Sequence, residues 1–183
     1  MIYQFKFDEN TGRLTPNSPL KVEQNGNLGP RYYCFHPTLG IAYFSDEQGC
    51  SVTGYHIDSS AGTLSAFQTI TTLPEDVTQR NTCSQIQISP SGKFLYVPNR
   101  GHNSIACFSV DAATGRLSAI GQEPTEAVPS AFSLDPEGKF VFAAGSASGL
   151  LASYRISGDT GGLTPLETYR VGERPMGVLV TTL

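Results

Sequence analysis

DENTGRL at 8–14, DSSAGTL at 58–64 and DAATGRL at 111–117 are three copies of one motif, and GDTGGL at 158–163 is a weaker fourth. Their leucines, Leu14, Leu64, Leu117 and Leu163, are 50, 53 and 46 residues apart. A second motif keeps step with the first: HPTLGIAYF (36–44), SPSGKFLYV (89–97) and DPEGKFVFA (135–143). Its glycines, Gly40, Gly92 and Gly138, are 52 and 46 residues apart. Two motifs that drift together belong to one repeated unit, and a period near 50 residues points to a repeat architecture.

Each unit reads as four short strands divided by Gly, Pro and Asp turns. In the first full unit these are strand A (Arg31–His36), strand B (Ile41–Ser45), strand C (Ser51–Ile57) and strand D (Thr63–Thr71). Runs such as Ile105, Ala106, Cys107, Phe108 and Val110 are apolar on both pleat faces, so the sheet is covered on both sides. Phe108 and Phe35 are expected in the core between units. Four-stranded antiparallel sheets at this spacing are the blades of a β-propeller. The fold class is all-β. One domain spans 1–183, with blades at about 30–72, 83–124 and 129–171 and partial blades at 1–23 and 175–183. Ile2–Phe7 aligns with strand C, Leu14–Val22 with strand D, and Pro175–Leu183 with a further strand A.

Composition agrees with a turn-rich β protein. Of 183 residues, 19 are Gly and 12 Pro, and only 15% are charged, below the usual ~25%. Such a chain is neither a coiled coil nor a disordered polyelectrolyte. The net charge is −4 and no Lys/Arg run occurs, which argues against a nucleic-acid or membrane partner. MIYQFKFDEN has no basic and apolar leader pattern. Cys34, Cys50, Cys83 and Cys107 form no CxxC pair and have no histidine at metal-ligand spacing. A cytoplasmic chain with reduced thiols is expected, with no metal and no cofactor. Cys34, Cys83 and Cys107 read as small buried hydrophobes.

GPRYYCFHP (29–37), SDEQGCSVTGYHID (45–58), the long stretch RNTCSQIQISPSGKFLYVPNRGHNSIACFSVD (80–111) and DPEGKF (135–140) resemble the lactonase family of seven-bladed propellers. That family includes propeller-type 6-phosphogluconolactonases and fungal 3-carboxy-cis,cis-muconate cyclases. The resemblance covers nearly the whole chain and the C-terminal half of a family member. It implies a site of arginines, a glutamate and a histidine at one mouth of the central channel. Arg31 matches the arginine of the family's GPRH motif, Glu47 the glutamate of its NE pair, and Arg100 the arginine of NRGH. Tyr32 stands where the family has histidine, Gln85 where an acidic residue is common, and Ser130 where arginine follows proline. The family's histidine belongs to an earlier blade.

Strand topology groups the same residues independently. The start of A and the end of B lie at one sheet edge. That edge collects Arg31, Glu47, Arg80, Asn81, Arg100 and His102, whereas His36 sits at the opposite edge. Catalytic candidates are Glu47, Arg31 and Arg100; substrate-binding candidates are Arg80, Asn81 and His102. A guanidinium fork matches carboxylate or phosphate, a carboxylate can activate water, and arginines can stabilise an oxyanion. The bland alternatives are a salt bridge for Glu47, blade bracing for Arg31 and Arg100, and a turn cap for His102.

For an active chain, the resemblance implies a metal-independent lactone hydrolase acting on a carboxylate- or phosphate-bearing lactone such as 6-phosphogluconolactone. The alternatives are a muconate-type cycloisomerase and a non-catalytic binding or assembly module. A lone chain leaves terminal strands with unpaired backbone groups, so a homodimer sharing them, closed as an eight-bladed ring, is expected.

Overall fold

The computed structural model describes residues 1–181. The described residues form strands and turns and include no helix, hence none long and apolar enough to cross a membrane. The strands are β1 Tyr3–Asp8, β2 Arg13–Lys21, β3 Pro30–Phe35, β4 Ile41–Asp46, β5 Ser51–Asp58, β6 Thr63–Thr71, β7 Thr82–Cys83 and β8 Gln87–Ile88. They continue with β9 Phe94–Arg100, β10 Ser104–Val110, β11 Leu117–Pro124, β12 Pro129–Leu134, β13 Phe140–Gly145, β14 Leu150–Ile156 and β15 Leu163–Arg170. Every pairing is antiparallel, and all but β7 with β9 join sequence neighbours: β1-β2, β3-β4-β5-β6, β9 between β10 and the β7/β8 pair, and β12-β13-β14-β15.

The aspartate motif closes each C–D turn. The Oδ1 atoms of Asp8, Asp58 and Asp111 each accept backbone N–H bonds from the residues two and three positions on. In the fourth copy the equivalent residue is Ser157, whose Oγ accepts from the Thr160 N–H at 3.2 Å. That register explains why the fourth motif looks weak: Asp159 lies within the turn rather than at its head.

Strand A of the second sheet is broken into β7 and β8. Ser84 N–H bonds the Pro98 carbonyl at 3.0 Å, so Pro98 turns its backbone polar groups toward strand A. Proline has no N–H to return, and the ladder lapses there.

The core lies between sheets. In β9, Leu95 and Val97 pack toward the preceding sheet with Ile41, Tyr43 and Val52. Phe94 and Tyr96 pack toward the next sheet with Phe132, Val141 and Tyr154. β10 alternates in the same way: Ala106 and Phe108 on one side, Ile105 and Cys107 on the other. The middle sheet is therefore buried on both faces, as its sequence predicts.

Polar latches repeat at the same seams. Asn17 Nδ2 donates to the Gly62 carbonyl at 2.9 Å, Tyr43 Oη to Gly115 at 2.6 Å, and Tyr96 Oη to Gly161 at 2.9 Å. Each ties a C–D turn to the preceding sheet. Ser45 Oγ to the Ser84 carbonyl and Ser84 Oγ to the Pro129 carbonyl, both 2.8 Å, tie the other edge.

Two expectations change. Phe35 is 57% exposed. It shares a face with Tyr33, which packs on Phe44 and through it on Tyr55. That face turns toward the β1-β2 hairpin, and Gln24, in the loop that follows β2, reaches Tyr55. The hairpin supplies no A or B strand to cover Phe35. Residues 175–181 form no strand, because the described residues contain no B strand for them to pair with; 182 and 183 lie outside the described residues. Cys83 and Cys107 are buried, while Cys34 is half-buried against the first core.

Candidate functional site

Three equivalent positions open the B–C turns: Glu47 after β4, Arg100 at the end of β9, and Ser146 after β13. Facing them on the A strands are Arg31 and Ser130. Glu47 Oε1 accepts a hydrogen bond from Arg31 Nη1 at 2.9 Å and a very short one from Arg100 Nη2. One carboxylate oxygen thus joins two adjacent sheets. Arg100 Nη2 also donates to the Cys83 carbonyl at 3.1 Å, while its Nε is buried without a partner. Burial pushes the Glu47 carboxyl up, but the hydrogen bonds and charges of Arg100 and Arg31 outweigh it and hold the group below the usual carboxylate range. Glu47 is therefore ionised at neutral pH.

A shallow cavity of about 340 Å³ lies beside this pair, lined by Glu47, Arg80, Asn81, Thr82, Arg100 and Val128. Arg80 is exposed on its rim. Asn81 is buried and engaged at both ends of its amide: Nδ2 reaches Asn99 Oδ1 at 3.0 Å and Cys50 Sγ at 3.4 Å, and Oδ1 accepts the His102 N–H at 3.0 Å. His102 Nδ1 lies 2.7 Å from Ser104 Oγ on its own turn. The structure thus brings Glu47, Arg31 and Arg100 into contact and sets Arg80 beside them. Asn81 and His102 hold the turn beneath. His36 is remote, its Nδ1 accepting the Thr38 and Leu39 N–H groups at the opposite edge.

The NRGH stretch needs its glycine. A Cβ on Gly101 (φ +141°) would stand 2.3 Å from the Arg80 carbonyl oxygen. The D–A loop carrying Arg80 passes against this backbone, and only Gly admits it.

Ser130, which stands where the family often has arginine, faces Ser146 with hydroxyls 3.1 Å apart. In the third sheet a neutral pair replaces the ion pair of the first. Tyr32 lies under the Arg31 guanidinium, 5.5 Å from Cζ to the ring centre. Gln85 Oε1 is buried without a hydrogen bond.

Sequence reading passed over Asp46. It is fully buried and accepts from Ser51 Oγ at 2.8 Å and Thr53 Oγ1 at 2.6 Å. Desolvation raises its pKa above the ordinary value despite these bonds. The adjacent hydroxyls at 51 and 53 were the available signal. Among the described residues, no three His, Cys, Asp or Glu side chains gather in a metal-ligand group.

The family model for the seven-bladed lactonase β-propellers matches residues 1–180. This chain belongs to the lactonase family. Among its relatives, the 6-phosphogluconolactonase of Pectobacterium carotovorum is 34% identical over 173 residues, covering 94% of this chain and 52% of the relative. The 6-phosphogluconolactonase of Yersinia enterocolitica is 34% identical over 169 residues, covering 92% and 51%. Among solved structures, the periplasmic gluconolactonase of Pseudomonas aeruginosa superposes with a TM-score of 0.86 at 26% identity, covering 92% of this chain and 48% of that one. A Lactobacillus plantarum protein gives 0.87 at 27% identity, covering 94% and 50%. This lactonase-family chain spans about half the length of the curated relatives it matches.

Proposed function

We propose that this chain carries the Glu47 cluster of a sugar-lactone hydrolase acting on an anionic lactone such as 6-phosphogluconolactone. The observation that carries this reading is one ionised carboxylate held between two guanidiniums beside an open cavity. Glu47 takes a proton from a water molecule, and the water oxygen attacks the lactone carbonyl carbon. Arg100 and Arg31 stabilise the oxyanion of the tetrahedral intermediate. The ring C–O bond then breaks, the departing alkoxide recovers the proton, and the product is the open-chain carboxylic acid. Arg80, exposed on the rim, holds the phosphate. No step requires a metal or cofactor.

Hydrolysis of 6-phosphogluconolactone, corrected for its spontaneous opening, tests this reading. Glu47→Gln lowers kcat by about 100-fold or more, whereas Arg80→Ala mainly raises KM. Full activity in Glu47→Gln refutes the assignment. A muconolactone substrate run beside it separates hydrolysis from cycloisomerisation.

The same reading includes a reducing, cytoplasmic setting, supported by four free cysteines. It also includes a homodimer. Tyr3, Phe5, Phe7, Tyr33 and Phe35 are 47–67% exposed at one end of the arc of sheets. An apolar surface of that kind favours a covering neighbour, and a second copy is the neighbour proposed.

A further inference from the structure

Beneath the Glu47 cluster lie two cysteines from different sheets. Cys50 ends the B–C turn that Glu47 begins, and Cys83 lies on β7. Both thiols belong to one hydrogen-bond network: Asn99 Oδ1 accepts from Asn81 Nδ2 at 3.0 Å and lies 3.7 Å from Cys83 Sγ. Cys50 Sγ also lies 3.3 Å from the Asn81 carbonyl oxygen and 3.4 Å from Asn81 Nδ2. Cys83 Sγ lies 3.3 Å from Thr72 Oγ1. Thr72 Oγ1 is in turn 3.0 Å from the Cys50 carbonyl oxygen. One small polar pocket therefore encloses both sulfurs.

The two thiols are not alike. Cys50 is half-buried and open to a small solute, whereas Cys83 is fully buried. Interaction with Cys83 holds the Cys50 thiol well below its ordinary pKa. The same interaction, together with burial and the nearby Asp46 charge, holds Cys83 protonated. An accessible thiolate beside a protected thiol is the arrangement of an attacking and a resolving cysteine.

Cys50 also occupies an unusual backbone position. Its φ is +47°, in the left-handed region, where the equivalent turn residues are Asn103 (+55°) and Gly149 (+71°). Asn and Gly tolerate that conformation; a cysteine there is strained.

We propose that Cys50 and Cys83 are a peroxide-responsive thiol pair that closes to an intramolecular disulfide beneath the site. The Cys50 thiolate attacks one oxygen of hydrogen peroxide, the O–O bond breaks, and the released hydroxide takes a proton to leave as water. Cys50 is then a sulfenic acid. The Cys83 sulfur attacks the Cys50 sulfur, the S–O bond breaks, and a second water leaves with the Cys83 proton. Two thiols and one peroxide give one disulfide and two waters. The cross-link joins the turn carrying Glu47 to the strand whose carbonyl anchors Arg100 and whose N–H bonds the Glu47 carbonyl at 3.3 Å. Oxidation would therefore bear directly on the geometry of the Glu47 cluster.

Thiol counting and disulfide mapping test the pair without reference to activity. The fully reduced protein, titrated with hydrogen peroxide and quenched with N-ethylmaleimide, is expected to fall from four free thiols to two. Digestion with trypsin and a glutamate-specific protease, which cuts after Glu47 and so separates Cys34 from Cys50, is expected to yield a Cys50–Cys83 linked peptide. Cys83→Ser should leave a sulfenic acid on Cys50 that dimedone traps, and Cys50→Ser should keep Cys83 reduced. Cys34→Ser should change nothing. Retention of four thiols, a bridge involving Cys34 or Cys107, or sulfinic acid on Cys50 with Cys83 still free in the wild-type protein would each overturn the proposal.

Discussion

Glu47 owes its charge state to two partners, and its pH response follows from them. Its pKa in the folded chain lies below the unfolded value. The carboxylate therefore contributes stability above the unfolded pKa, and that contribution is lost as pH falls through the folded one. Arg100→Ala removes the more buried partner, so the Glu47 titration followed by NMR should move up. No movement would mean that Arg31 alone sets the charge. The side chains of Arg31 and Glu47 are 37% and 24% exposed, so water screens the pair and Glu47→Ala should cost about 1 kcal/mol or less in a denaturation series. Asp46, one residue earlier, shifts the opposite way because desolvation by burial outweighs its hydrogen bonds to Thr53 and Ser51 and the charge of the N-terminus. The two neighbours differ by strand alternation: Asp46 points into the sheet seam and Glu47 starts the turn. Strand topology and the family resemblance made Glu47 and the arginines legible in sequence. For residue 46 the sequence offers only the hydroxyls at 51 and 53, which do not by themselves show that it loses its hydration.

Strands and turns were legible because they rest on local chemistry. An Asx turn needs its aspartate and glycine within a few residues, and a buried sheet needs apolar residues on both pleat faces. Seams between sheets are different, because their partners lie 40 or more residues apart in sequence. The tyrosine latches at Tyr43 and Tyr96, and the Gln68 bridge to Leu117, have no local signature. Phe108 and Phe35 show the same limit from the other side. Both are aromatic strand residues, yet one is 1% and the other 57% exposed, because coverage is decided by the neighbouring sheet. Phe108→Ala should cost roughly 3–5 kcal/mol, and a loss below that of Glu47→Ala would mean the seam is misplaced. The seams also rank the turn glycines. Gly12 (φ +70°) faces open space, so Gly12→Ala meets only left-handed strain of about 1–2 kcal/mol. Gly115 has the same φ, but a Cβ there would lie 2.2 Å from Ile41 Cδ1. Gly115→Ala should cost a further 1–3 kcal/mol, roughly, for overpacking. Equal melting shifts for the two variants would show that the turn does not bear on the seam.

At the largest scale, the described sheets of this chain form an open arc. Three four-strand units and one hairpin stack in sequence order, and the family's ring holds seven blades. The arc ends on faces that a closed ring would cover. Tyr3, Phe5 and Phe7 lie on one terminal hairpin, and Leu166, Tyr169 and Val171, 45–47% exposed, lie at the other end. Rows of exposed aromatics on strands with free edges promote association. If two copies close on each other, the interface is isologous and each arc covers the other's ends. Six full sheets and two terminal hairpins would then make the ring, with two Glu47 clusters on one channel. The competing arrangement, a self-contained monomer, would leave these faces in water. Light scattering distinguishes them: a homodimer has twice the chain mass of 19.6 kDa, and a stable, soluble species at the single-chain mass refutes the shared ring. Phe35→Asp sharpens the test. Phe35 is already exposed within one chain, so the charge should leave the β-sheet circular dichroism intact. At a covered interface it would be an unpaired buried carboxylate, and the dimer should dissociate. An unchanged dimer would place Phe35 outside the contact and redirect the search to the opposite end of the arc.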